Sequence, residues 1–283
     1  MPLQHAPGPP ASPHGARTGA FRHPLPRAMV RRHAPMAQLS VPYRRLADTL
    51  LPHLAQFLEL PEAEVERRMG GAREERNRRW IASAPRSEAE RNRLYAELGE
   101  LDLLKYAEWH RTDEEKQGLH DELVRFAAKR KLSVLDCGGG IGDTTLAFAA
   151  NGVSVTYIDF PGVCSRFARA RQKLFGCEAR VRQLAPEEFW ADAAGSFDMV
   201  VSLDVLEHLE NPVAHAVRYR DLLPSGGHLF VTTFFEHSAR NPDHLPANDA
   251  YRRLFGGERK TSRRCVLTNL GFKEKRWYWF VKP

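Results

Sequence analysis

The chain has 283 residues, a formal charge of +7, and 42% hydrophobic and 27% charged residues. At roughly 100–200 residues per domain it has room for one or two domains with a buried core. That composition excludes a mainly disordered chain, a collagen and a disulfide mini-protein. No run approaches about 18 consecutive apolar residues, so no transmembrane helix is expected.

The charge is unevenly placed. Residues 1–46 carry seven arginines and no lysine or acid, and residues 251–283 carry ten basic residues against Glu258 and Glu274. The stretch between them is acidic. The high isoelectric point therefore reports the two ends and is not by itself the mark of a nucleic-acid binder.

Residues 1–40 read as a disordered, basic, proline-rich tail. Nine prolines lie between Pro2 and Pro42, and no helical or strand period is present. No apolar segment marks a secretory signal. Residues 41–130 read as a helical region. Leu46, Leu50, Leu51, Leu54, Phe57 and Leu58 recur at helical spacing. Ser87 and Glu90 form a capping-box pattern, and Leu94, Tyr95, Leu98, Leu101, Leu104 and Lys105 behind it suit one long amphipathic helix. Thr112 with Glu115 repeats the pattern ahead of Leu119, Leu123 and Phe126. Tyr106, Trp109 and His110 at the join serve either as core packing or as part of a lid.

From residue 131 to 283 strands and helices alternate. Strands are expected at Ser133–Asp136, Val153–Asp159, Ala179–Gln183, Phe197–Leu203 and His228–Phe234. Helices are expected at Asp143–Ala150, Cys164–Phe175, Pro186–Ala193 and Asn211–Leu223. Asn211 before Pro212 is a good helix start, and Gly152, Gly176 and Gly226 fall where helices stop. Phe272–Val281 reads as a last strand or tight hairpin. Alternation of this kind means βαβ units, a doubly wound, mostly parallel α/β sheet and right-handed crossovers.

The most informative segment is Val134-Leu135-Asp136-Cys137-Gly138-Gly139-Gly140-Ile141-Gly142-Asp143. It follows a strand and opens a helix, the place where open α/β sheets bind ligands. The dinucleotide pattern G-x-G-x-x-G fails at Asp143, and no Gly-Lys-Ser/Thr of a P-loop follows. An acid at Asp136 disfavours a pyrophosphate and suits a cationic group. Asp159 ends the next strand, where a carboxylate accepts both hydroxyls of a ribose. A nucleoside with a positive appendage and no phosphate fits, and S-adenosylmethionine is such a molecule.

Residues 131–283 resemble a class I S-adenosylmethionine-dependent methyltransferase of Rossmann-like fold. Asp136–Gly142 matches the family's D/E-x-G-x-G-x-G motif and Asp159 its second-strand acid. Phe197–Leu209 resembles the fourth-strand segment of the ubiquinone-biosynthesis-like branch, and Leu222–Phe230 its fifth-strand entry, with Ser225 in place of one glycine. The resemblance implies cofactor contacts at Asp136, Gly138, Gly140, Gly142, Asp159 and Asp204. The family's usual acid after the third strand has no obvious counterpart, so Gln183 or a backbone N–H near Leu184 is expected to meet the adenine instead. Methyl transfer is a displacement at carbon, in which the protein aligns and desolvates the reactants. A base is needed only where the acceptor must lose a proton. His208 and His244 are the candidates.

The expected function is methyl transfer to a small-molecule acceptor, through oxygen, in the cytoplasm. Transfer to RNA or protein, or a non-catalytic use of the fold, stands as the alternative. Arg252, Arg253, Arg259, Lys260, Arg263 and Arg264 form a basic cluster suited to an anionic acceptor or RNA. No Asn-Pro-Pro-Tyr type motif argues for an exocyclic amine. Cys137, Cys164, Cys177 and Cys265 form no C-x-x-C pair, and the acids and histidines match no metal template, so no metal is expected.

Overall fold

A computed structural model describes residues 39–191, 197–251, 266–276 and 278–283. The expected tail, apart from its last two residues, lies outside the described residues, as do the basic cluster and Cys265.

Six helices come first: α1 (Tyr43–Asp48), α2 (Leu50–Leu58), α3 (Glu62–Ser83), α4 (Glu88–Glu97), α5 (Gly99–Thr112) and α6 (Glu114–Arg130). The Ser87 capping box is present in full, with Glu90 N–H donating to Ser87 Oγ and Ser87 N–H to Glu90 Oε2. The single long helix expected behind it is two, because the chain breaks at Leu98 between α4 and α5. The break lets Gly99 approach helix α8 (Val163–Leu174) so closely that a Cβ there would lie 2.9 Å from Val163 Cγ1. The second capping pattern is off by one residue. Asp113 is the N-cap and accepts from Lys116 N–H, while the Thr112 hydroxyl donates back to Glu108 O at the end of α5. Aspartate accepts from the backbone better than threonine, and threonine satisfies itself within the preceding turn.

Strands and helices then alternate: β1 (Ser133–Cys137), α7 (Asp143–Ala150), β2 (Ser154–Ile158), α8, β3 (Val181–Leu184), α9 (Pro186–Ala191), β4 (Met199–Leu203), α10 (Pro212–Leu222) and β5 (His228–Thr232). Helix α11 (Val266–Asn269) and a hairpin of β6 (Lys273–Arg276) and β7 (Trp279–Val281) follow. Boundaries differ from the sequence expectation by no more than two residues, and α7 matches it at both ends. Asn211 caps α10 by accepting from Ala214 N–H.

The sheet order is β3-β2-β1-β4-β5-β7-β6. β1 to β5 are parallel, and the hairpin adds β7 antiparallel to β5. Sheet residues Leu135, Val200 and Leu229 are fully buried and share a core with Leu206, Ala216, Tyr219 and Phe280. β2 and β3 lie on one side of β1, β4 and β5 on the other. The strand order therefore reverses between β1 and β4, and their carboxyl ends open a crevice at that point. This is the Rossmann-like methyltransferase fold with an N-terminal helical extension. The extension packs on the sheet's own helices, α1 against α6 and α7, and α5 against α8.

Candidate active site

The glycine loop leaves β1 at the reversal point. Gly138 has φ +74°, and a Cβ on it would lie 2.4 Å from Val205 Cγ2. Its lack of a side chain lets the loop sit against the turn after β4. Gly140 differs: it has φ +56°, and a Cβ on it would meet nothing within 4 Å. Open space lies there beside bare backbone, as a cradle for a ligand requires. Gly142 is the N-cap of α7.

Asp159 ends β2 beside this space. Its Oδ2 accepts from Gly140 N–H at 2.5 Å and its Oδ1 from Phe160 N–H at 2.7 Å. Each carboxylate oxygen has two lone pairs, so each keeps one for a further donor. Two neighbouring hydroxyls, as on a ribose, match that capacity. Burial pushes the Asp159 carboxyl up to about 6. Phe160 next to it is 41% exposed and offers an apolar ring at the rim. These residues fit a nucleoside.

Asp136 takes a different place. It is buried behind the loop and accepts from the Thr145 hydroxyl at 2.6 Å, and burial raises its carboxyl to about 6. Gln183 points its amide at Ser165 O of α8 at 2.9 Å, while its Oε1 is buried without a partner. Asp204 sits in the left-handed region at φ +56°. Its Oδ1 accepts from Thr232 Oγ1 at 2.8 Å, and its Oδ2 lies 3.7 Å from Lys116 Nζ.

His208 and His244 come together, with ring centroids 4.8 Å apart. His208 Nδ1 lies 3.2 Å from Asp243 O and 3.3 Å from Tyr95 Oη. With Nδ1 donating to the Asp243 carbonyl, Nε2 keeps its lone pair for a proton. Burial lowers His208 below its ordinary value; Asp243 opposes this and Lys105 adds to it. His244 Nδ1 is tied to Glu236 O at 3.0 Å, and burial lowers this residue to about 4. Both rings are thus neutral near physiological pH. Glu207, His208 and His244 each bring a ligand-type atom within 4.8 Å of the others, a geometry in which a metal ion could be held.

The family model of a methyltransferase domain matches residues 109–270, more than half of the chain. The chain belongs to this methyltransferase-domain family. Two curated relatives are ubiquinone biosynthesis O-methyltransferases. The one from Azotobacter vinelandii is 34% identical over 158 residues, 52% of this chain and 65% of its own length. That from Pseudomonas aeruginosa strain LESB58 is 32% identical over equal shares. The match therefore spans just under two thirds of these relatives. Among solved structures, TehB from Haemophilus influenzae is 19% identical over 46% of this chain and 49% of its own, with a TM-score of 0.35.

The methyltransferase match begins inside α5, so α1 to α4 lie outside it. These helices nonetheless bring polar groups to the crevice. Arg76 of α3 is 0% exposed. It donates to Asp102 of α5 at 3.0 Å and to Asp243, which adjoins His208, at 2.8 Å. Lys105 Nζ shares the Asp102 oxygen at 3.0 Å. On the other side of the glycine loop, Asp143 pairs with Arg171 of α8 and lies 2.6 Å from His110 Nδ1. The Tyr43 hydroxyl of α1 reaches the same carboxylate at 3.4 Å.

His110 was legible as a candidate lid residue, but sequence reasoning missed Arg76, Asp102, Asp143 and Arg171. In the sequence Asp143 only breaks a dinucleotide pattern, and Arg76 sits among exposed charges in a helix rich in arginine and glutamate. Lys105 gave a signal, a lysine on an otherwise apolar stripe.

Proposed function

We propose that the protein transfers a methyl group from S-adenosylmethionine to an acidic hydroxyl of a small molecule. The observation that carries this is the pairing of Asp159 with the open space at Gly140, at the carboxyl ends of β2 and β1. The Asp159 carboxylate and the bare loop would hold the nucleoside. When bound, S-adenosylmethionine supplies a methyl group on a positively charged sulfur, a leaving group that needs no acid.

The protein's own part is to bind, to exclude water and to move one proton. His208 Nε2 takes the proton of the acceptor hydroxyl. The imidazolium formed faces Asp243, whose carboxyl is held well below its usual range: burial works to raise it, but Lys105, Arg76, His208 and His244 outweigh burial. A weakly basic imidazole deprotonates a phenol or enol far more readily than an aliphatic alcohol. Tyr95 and Tyr106 are half-buried beside these groups and suit a ring. The names of the curated relatives agree with transfer to oxygen.

Calorimetry with S-adenosylhomocysteine tests the reading. The wild type is expected to bind, and Asp159→Ala to lose about 1.5–3 kcal/mol, as for a charge-assisted hydrogen bond. Wild-type affinity is expected to fall as pH drops through about 6, where Asp159 takes up a proton and loses an acceptor site. A wild type that does not bind would sink the proposal.

A further inference from the structure

The helical extension contributes more than cover to the crevice. Lys105 is buried, with its side chain 10% exposed. An ammonium has three N–H donors. Asp102 receives one, and no other polar partner of Lys105 exists among the described residues. Its Nζ lies 4.4 Å from the centre of the Tyr106 ring, a face rather than an acceptor.

Arg76 Nε also donates to Asp102 Oδ1, at 3.0 Å, so this carboxylate keeps a cationic partner when Lys105 bonds elsewhere. Arg76 is in turn tied to Asp243, and Asp243 O lies against His208 Nδ1. Two cations, Arg76 and Lys105, thus face two buried carboxylates, Asp102 and Asp243. Lys105 keeps N–H donors to spare, and Asp102, Arg76 and Asp243 link it to the base. The charge of Lys105 reaches both Asp243 and His208.

We propose that Lys105 is the residue that holds the acceptor's oxygen as an oxyanion. This rests on the methyl-transfer reading above. Proton bookkeeping supports the placement. The acceptor O–H bond breaks, its proton bonds to His208 Nε2, and the electron pair stays on oxygen. The new positive charge then faces Asp243 and the new negative charge faces Lys105. Each meets a partner already in position, which is how a preorganised site lowers a barrier. Lys105, Asp102 and Arg76 all precede the span matched by the family model, so they are features of this chain's extension.

The test uses 4-nitrophenol, whose ionised form absorbs in the visible. It is titrated into full-length protein saturated with S-adenosylhomocysteine, at a pH below the free phenol's own pKa. The wild type is expected to show the nitrophenolate band as it binds. Lys105→Met is expected to lower nitrophenolate affinity at least about tenfold, the low end for a charge-assisted hydrogen bond. Arg76 still pairs with Asp102 in that variant, so the fold is expected to persist. The double variant Lys105→Met/Asp102→Asn removes both charges and is expected to lose the band equally, while Lys105→Arg keeps most of it. S-adenosylhomocysteine affinity by calorimetry is expected to be unchanged in all three. Nitrophenolate binding of wild-type strength in both Met variants would overturn the proposal, as would a wild type that binds no nitrophenolate. A wild type that binds no S-adenosylhomocysteine would overturn this proposal and the cofactor reading together.

Discussion

Two glycines of one loop do different work, and their substitutions separate. At Gly138 an added methyl would overlap Val205 Cγ2. At Gly140 it would stand in open space, in a left-handed conformation that costs roughly 1–2 kcal/mol for any other residue. Gly140→Ala is therefore expected to melt only slightly below the wild type while S-adenosylhomocysteine binding by calorimetry drops sharply. Gly138→Ala is expected to lower the melting temperature more, and Val205→Ala in the same chain to recover part of the loss. Equal stability losses at the two positions would contradict this division.

Between elements, the ion pairs through Arg76 tie three segments together. α3 supplies the arginine, α5 supplies Asp102 and the loop after β5 supplies Asp243. Breaking a buried pair by removing one partner typically costs about 3–5 kcal/mol, because the other charge stays behind unpaired. Arg76→Met is expected to destabilise on that scale in urea unfolding. Adding Asp243→Asn is expected to recover part of the loss, since it removes one stranded charge. Asp143 plays a similar part behind the glycine loop, where α1, α5 and α8 converge on one carboxylate.

For the molecule as a whole, buried histidines set the response to acid. Burial lowers His110 well below 6.5 and His120 to about 3. Both stay neutral in the native state while the unfolded chain takes up protons. Their contribution to stability is thus present above 6.5 and lost progressively as pH falls towards the native values. Asp136 and Asp159 work in the opposite sense. Raised to about 6, they favour the native state below the ordinary carboxylate value and lose that contribution as pH rises through about 6. Glu207, raised to about 8, and Glu108 act with these two acids. More histidines are shifted, however, since His53, His208, His215, His228 and His244 are lowered as well. The melting temperature is therefore expected to fall as pH is lowered below 6.5, and His120→Gln is expected to flatten that slope. A melting temperature that rises steadily from pH 6.5 to 5 would refute the assignment.

The α/β sheet, its glycine loop and the acid at the end of β2 were legible in the order of the residues. Those features are local: a short apolar run buried on both faces, a cap, a turn that only glycine makes. Asn211 and the Ser87 box were legible for the same reason, since a side chain and a backbone three residues on need no third party. Even there, the break at Leu98 was hidden, because it depends on Gly99 meeting Val163 more than sixty residues away. The charged half of the crevice was decided by tertiary structure alone. Arg76, Asp102, Lys105 and Asp243 come from three segments, and nothing in any one of them tells a buried arginine from a solvated one. Charge is read at short range by whatever the fold places beside it, and the sequence carries that placement only through the packing of distant apolar faces.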